Sequence, residues 1–129
     1  MPVFGGNGPV DVVAEATAAR TITLADNGKL FTNLGGGACT FTLPLLSTLC
    51  VGWSCSFQSV VAGDFIVAAH ATDVDKIVAF NDATADSVGF STDGEEIGGV
   101  ITMTVDSAGT KWLSRVSLAA ETQTPAIAT

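Results

Sequence analysis

His70 is the only histidine in this 129-residue chain, and it closes an apolar run from Phe65. A catalytic imidazole needs a nucleophile or a carboxylate held against it, and nothing near it in sequence supplies that set. His70 therefore reads as a structural or surface residue. Asp73-Val74-Asp75 has the alternation of a carboxylate ligand pair. A helix-flanked calcium loop also needs glycine at its sixth position and glutamate at its twelfth, where Val78 and Thr84 stand. Asp73, Asp75, Asp82 and Asp86 are accordingly expected as solvated loop carboxylates. Glu95-Glu96 lies among glycines and reads as a mobile charged loop rather than an acid/base pair. The cysteines, Cys39, Cys50 and Cys55, are odd in number, and a zinc site would need more ligands than one histidine adds. They read as small hydrophobes, with geometry deciding whether Cys39 and Cys55 approach each other. Gly35-Gly36-Gly37 is not followed by a helical pattern, so it lacks the context of a phosphate loop and reads as a hairpin connection. Trp53 and Trp112 are the one aromatic pair able to stack on a sugar, but both fall on the apolar side of their strands and read as core. No catalytic residue, metal site or cofactor is expected.

Composition moves the question from chemistry to partners. Hydrophobic residues make up 47% of the chain and charged residues 14%, with mean hydropathy +0.47. A small soluble monomer normally shows more charge than this, so part of the surface is expected to be covered by other copies or by a partner. No run approaches the roughly 18 to 20 apolar residues of a spanning helix, so no membrane is expected. Thirteen acidic residues against five basic ones give a net charge of −8. Such a surface repels phosphate backbones, and the basic residues are scattered, so nucleic acid is not expected as a partner. The opening MPVFGGNGPV lacks the basic region and apolar core of a secretory leader.

The elements that must carry these residues are short strands. Thr21 to Pro44 reads as three: Thr21 to Leu24, Lys29 to Asn33, and Ala38 to Leu43 stopped by Pro44. Trp53 to Ser59 alternates most cleanly, and its Trp, Cys and Phe face matches Cys39, Phe41 and Leu43 across one core. Further strands are predicted at Phe65 to His70, Ile77 to Phe80 and Ser87 to Ser91. A closing hairpin joins Val100–Val105 to Lys111–Leu118 through Asp106-Ser107-Ala108-Gly109. Asp11 to Arg20 either starts a short helix or extends a strand, and the extended reading is preferred. No internal repeat is evident. The pattern predicts an all-β, single-domain antiparallel β-sandwich or barrel, jelly-roll-like, over residues 21–118. Extended arms are expected at 1–20 and 119–129.

The order of the short motifs resembles a known family. T-x-T-L, G-K-x-F-T-N and T-F-T-L-P lie within Thr21 to Pro44, followed by A-T-D-V-D-K-I from Ala71 and S-V-G-F-S-T from Ser87. I-T-M-T from Ile101 and K-W-L-S-R-V from Lys111 complete the series before a polar tail with Thr124-Pro125. Together these resemble the small capsid decoration, or cement, proteins of tailed bacteriophages, and more loosely the β domains of phage head fibres. The resemblance implies a structural virion protein, not an enzyme. It implies a homotrimer on the outer surface of the capsid that binds the major capsid protein, bridging and stabilising its subunits. Contacts are expected at the two ends, through Val3, Phe4, Val10, Val12, Val13, Arg20, Pro125 and Ile127. The competing reading is a sugar- or receptor-binding β appendage of a phage, which would need exposed aromatics in a groove.

Overall fold

The computed structural model describes residues 9–35, 37–120 and 123–129. They form two sheets packed face to face, an all-β sandwich as the alternation requires. The seven-stranded sheet has the order β1 (Val12–Glu15), β3 (Leu30–Asn33), β5 (Ser54–Gln58), β10 (Val100–Val105), β11 (Trp112–Ser117), β7 (Ile77–Ala79), β8 (Asp82–Ala85). The five-stranded sheet runs β12 (Ala126–Ala128), β9 (Ser87–Phe90), β6 (Phe65–Ala68), β4 (Cys39–Thr42), β2 (Ala19–Thr21).

The pairing differs from an antiparallel jelly roll, because both sheets are mixed. The chain crosses between sheets at each step from β1 to β6. β1, β3 and β5 therefore pair in parallel in one sheet, and β2, β4 and β6 in the other. Consecutive strands never pair there, so the triglycine is not a hairpin connection. It links β3 in one sheet to β4 in the other. The physical reason is the inward faces. Cys39, Phe41 and Leu43 point at the same core as Cys55 and Phe57, and two adjacent strands so patterned bury more by facing each other than by lying side by side. The second half is antiparallel as expected. β10 and β11 form the predicted hairpin, with Gly109 at φ 72° in its turn. β10 then joins β5, and β9 joins β6.

A phenylalanine cluster holds the sheets together. Phe41 lies 5.2 Å from Phe57, 5.8 Å from Phe31 and 5.4 Å from Phe65, all fully buried. At the far end Trp53 and Trp112 meet edge to face at 5.7 Å.

The region drawn as an N-terminal arm contains two of the strands. β1 and β2 are edge strands, and β12, in the C-terminal tail, is another. The first predicted strand is also shifted. Pairing ends at Thr21, Ile22 still donates its N–H to Thr42, and Leu24–Asp26 is a 3₁₀ turn. Asp26 closes that turn by accepting from the Thr23 N–H at 2.8 Å and from Lys29 Nζ at 3.0 Å.

Candidate functional site

The residues singled out for their chemistry are engaged in holding loops. His70 Nδ1 accepts the N–H of Thr72 at 3.0 Å, and the carbonyl of His70 accepts from Asp73. Asp73 is buried, contrary to the expectation of a solvated carboxylate, because it accepts the Leu46 N–H at 2.9 Å and so ties two loops together. Asp86 receives the N–H of Asp75, whose backbone is left-handed at φ 61°. An open hollow of about 300 Å³ lies here, lined in part by His70, Asp73, Val74 and Asp86. It contains no nucleophile paired with the imidazole, and its carboxylates face backbone donors. Among the described residues no group of three or more His, Cys, Asp or Glu could hold a metal ion. None of the helices is long and apolar enough to cross a membrane among those residues.

Glu95 and Glu96 do not hang free either. Glu96 is buried and accepts the Gly94 N–H, while Glu95 accepts from Thr124 through its carboxylate and from Gln123 Nε2 through its carbonyl. The acidic loop is thus stapled to the C-terminal tail. The alternation placed Cys39 and Cys55 inside, where both are buried free thiols, and Cys50 is exposed. Burial first, and the Asp26 carboxylate second, push the Cys55 thiol far above its ordinary range. Burial, then Glu15, raise Cys39. Both tryptophans are core, and Trp53 donates its indole N–H to Leu24. They leave no stacking platform.

The proposed contact residues divide by place. Val10 and Val12 are exposed, at 61% and 56%, beside the open edge of β1. Val13 and Ile127 are half-buried and pack on the core, with Ile127 opposite Val88. Pro125 is half-buried just before β12. Val3 and Phe4 lie outside the described residues. Arg20 is turned inward. Its guanidinium pairs with Glu15 at 3.0 Å and sits 5.1 Å from the centre of the Phe31 ring, covering the end of the core between β1 and β2. Glu15 is held below the usual carboxylate range by the Thr17 hydroxyl, then the Thr17 N–H, then Arg20.

The outer faces of the sheets are the feature that motif reading passed over. On the seven-stranded sheet one row runs Val12, Leu30, Ser56, Thr102, Arg115, and the next Ala14, Thr32, Gln58, Val100, Ser117. A third runs Ser54, Thr104, Leu113, Val78. Arg115 is the only charge in these rows. The five-stranded sheet shows Ala19, Thr40, Ile66, Gly89, Ala126 and Thr21, Thr42, Ala68, Ser87, Ala128, with no charge at all. In a chain of charge −8 the carboxylates have been confined to loops, strand ends and the edge strand β8. The signal was present in the sequence, as serine, threonine and alanine at alternate strand positions where a solvated face would carry lysine and glutamate. No protein-family model matches the chain, and no curated protein is significantly similar to it in sequence.

Proposed function

We propose that this chain is a structural virion protein, a capsid decoration or cement protein of a tailed bacteriophage. In this reading it sits as a homotrimer on the outer surface of the head and bridges major capsid subunits. The observation that carries the reading is the outer surface of both sheets, whose paired rows hold no carboxylate and a single charge, Arg115, in a strongly acidic chain. That arrangement suits a protein covered by other protein subunits and kept away from DNA, and the order of short motifs adds to it. Both tryptophans are buried and Phe80 is the one exposed aromatic among the described residues, which gives a sugar-binding appendage little to stack on.

Attachment to the shell falls to the ends. β1, β2 and β12 are open edges, and each leaves backbone donors and acceptors to which an extended segment of a capsid subunit can add as a further strand. Three copies multiply such weak contacts through high effective concentration. Co-purification with phage heads tests the reading itself, and absence of the protein from purified heads overturns it. Two truncations, removing residues 1–9 and residues 120–129, test the mode of attachment. Each is checked for fold and then mixed with undecorated heads, and each is expected to weaken decoration at least tenfold. Decoration by both at full strength leaves the edges of β1 and β2, and then the loop Thr92 to Gly99, as the places of attachment.

A further inference from the structure

Asn27-Gly28 is one of two Asn-Gly pairs in the chain, and a following glycine, with no Cβ to shield its nitrogen, leaves an asparagine most open to losing its side-chain amide. We propose that Asn27 is a site of spontaneous deamidation, and that the fold holds it closed through Ser54.

The local backbone calls for this pair. Asn27 has φ −55° and ψ 132°, Gly28 follows at φ 80°, and Lys29 donates its N–H to the Asp26 carbonyl at 3.2 Å. These are the angles of a type II turn, whose third residue must be able to adopt positive φ. Space is not the reason for the glycine, because a Cβ on Gly28 would meet nothing within 4 Å. Asn27 supplies a tie to β5. Its Oδ1 accepts the Ser54 N–H at 2.9 Å, while Gly28 donates its own N–H to the Ser54 carbonyl at 2.7 Å. The two residues that fasten the turn are thus the two that can react with each other.

In the reaction the Gly28 nitrogen bonds to Asn27 Cγ, the Cγ–Nδ2 bond breaks, and ammonia leaves with the proton that Gly28 gives up. Water then adds to either carbonyl of the five-membered imide and reopens it as aspartate or isoaspartate. No oxidant or reductant takes part. Three features of the folded turn oppose ring closure. The Gly28 nitrogen keeps its proton in the short bond to Ser54, and the Ser54 N–H fixes the orientation of the Asn27 carboxamide. The ψ of 132° also points the Gly28 nitrogen away from Cβ, whereas the imide needs it on the same side. Burial is not among them, since Asn27 and Gly28 are both exposed. Exposure alone predicts rapid loss of the amide, and the geometry predicts slow loss.

The two products differ in what they leave behind. Aspartate still offers an oxygen to the Ser54 N–H. Isoaspartate carries the main chain through Cβ, so the turn gains a carbon and Gly28 loses its register with Ser54. The start of β3 follows directly, where the Lys29 carbonyl accepts from Ser56 and Leu30 donates to Asp11. Conversion therefore loosens the edge on which β1 lies.

Trypsin releases Thr21 to Lys29, a peptide in which Asn27 is the one carboxamide side chain, so its conversion is read by mass and isoaspartate by its separate elution. The full-length protein is incubated in mildly alkaline buffer, folded, and in guanidinium chloride, unfolded. Asn7-Gly8, which lies outside the described residues, serves as the reference pair in the unfolded chain. There Asn27 is expected to convert within about threefold of the Asn7 rate, and in the folded protein at least tenfold more slowly than in the unfolded one. Exchange of the Gly28 amide in the folded wild type is expected to be slowed at least tenfold as well, because both processes require the same local opening. Asp26→Ala removes the carboxylate that accepts from Thr23 and Lys29 at the head of the turn, and is expected to speed conversion in the folded protein at least threefold. Should that variant fail to fold, amide exchange in the wild type decides. Folded and unfolded rates within tenfold of each other, a freely exchanging Gly28 amide, a folded Asp26→Ala that converts no faster, or an unfolded chain in which Asn7 converts and Asn27 does not, each overturns the proposal.

Discussion

Replacing Arg20 by alanine separates a residue that closes the core from one that grips a partner. In the structure Arg20 is turned against its own chain, with one hydrogen-bonded ion pair and one aromatic face beneath it. The pair is partly exposed, at 33% for the Arg20 side chain and 13% for Glu15. Its worth therefore lies nearer the exposed range than that of a buried charged hydrogen bond, at about 1 kcal/mol after screening. The guanidinium over Phe31 adds roughly 0.5 to 1 kcal/mol, and the loss of the covering stem brings the total to about 2 kcal/mol. For a domain of this size that lowers the melting midpoint by roughly 6 to 10 °C. Arg20→Met keeps the stem and is expected to lose about half as much. The assay is denaturant unfolding followed by tryptophan fluorescence at fixed protein concentration, with Glu15→Gln and the double variant completing the cycle. Acid supplies a further check. Glu15 has a folded pKa below its ordinary 4.5, so its contribution is complete above that pH and is lost as pH falls through the folded value. Arg20→Ala and Thr17→Val each remove a group that holds this carboxylate in its charged form, and both should lessen the acid dependence. Additivity of the two single changes within about 0.3 kcal/mol refutes the pairing. Unchanged stability with loss of head binding would instead make Arg20 a contact residue.

Of the three thiols, only Cys50 is expected to react with a maleimide in the native protein, Cys39 and Cys55 following on unfolding; a second thiol reacting at the native rate contradicts this. Changing Gly89 to alanine should cost more than about 3 kcal/mol, because a Cβ there collides with the Phe65 backbone rather than with a side chain able to move; a soluble variant with an unshifted melting curve refutes it. Phe41→Ala, which removes the ring joining both sheets, should lose about 3 to 5 kcal/mol in the same denaturant assay. The protein should not be retained on duplex DNA at roughly 0.15 M salt; submicromolar, salt-sensitive binding would reverse its assignment to the outer surface.

The strands were legible where burial on one face imposes alternation, as at Cys39 to Leu43, Trp53 to Ser59 and the closing hairpin. Their partners were legible only in the hairpin, where the turn itself sets the register. Parallel pairing of β1 with β3, or of β4 with β6, depends on residues far apart in the chain, and no local signal encodes it. β1 was legible only as the preferred extended reading of Asp11 to Arg20, and β2 only as an alternation placed too late at Thr21 to Leu24, because an edge strand is anchored by little. Val13 alone packs on the core from β1, and Arg20 takes the place of an apolar residue on β2. Asp73 and Glu96 read as loop carboxylates because the donors that bury them, Leu46 and Gly94, leave no mark in composition. The same holds for Asn33, whose side chain is buried by the backbone of Val60 and Val61 across a loop.

The winding of the first six strands has a consequence for how such a chain can lengthen. Each circuit lays one strand on each sheet and leaves the next pair of edges open, so the unit of growth is a whole circuit rather than a single strand. On one side the stack is closed, since β10 lies against β5 and β9 against β6. On the other, β1 and β2 end together with nothing beyond them among the described residues. A segment of roughly twenty residues inserted ahead of Val12, with the same alternation and a small-residue crossing, would find both templates waiting and would leave every strand below in register. Such added length would be taken up at one end of the molecule, leaving the phenylalanine cluster, the hairpin and the acidic staple untouched.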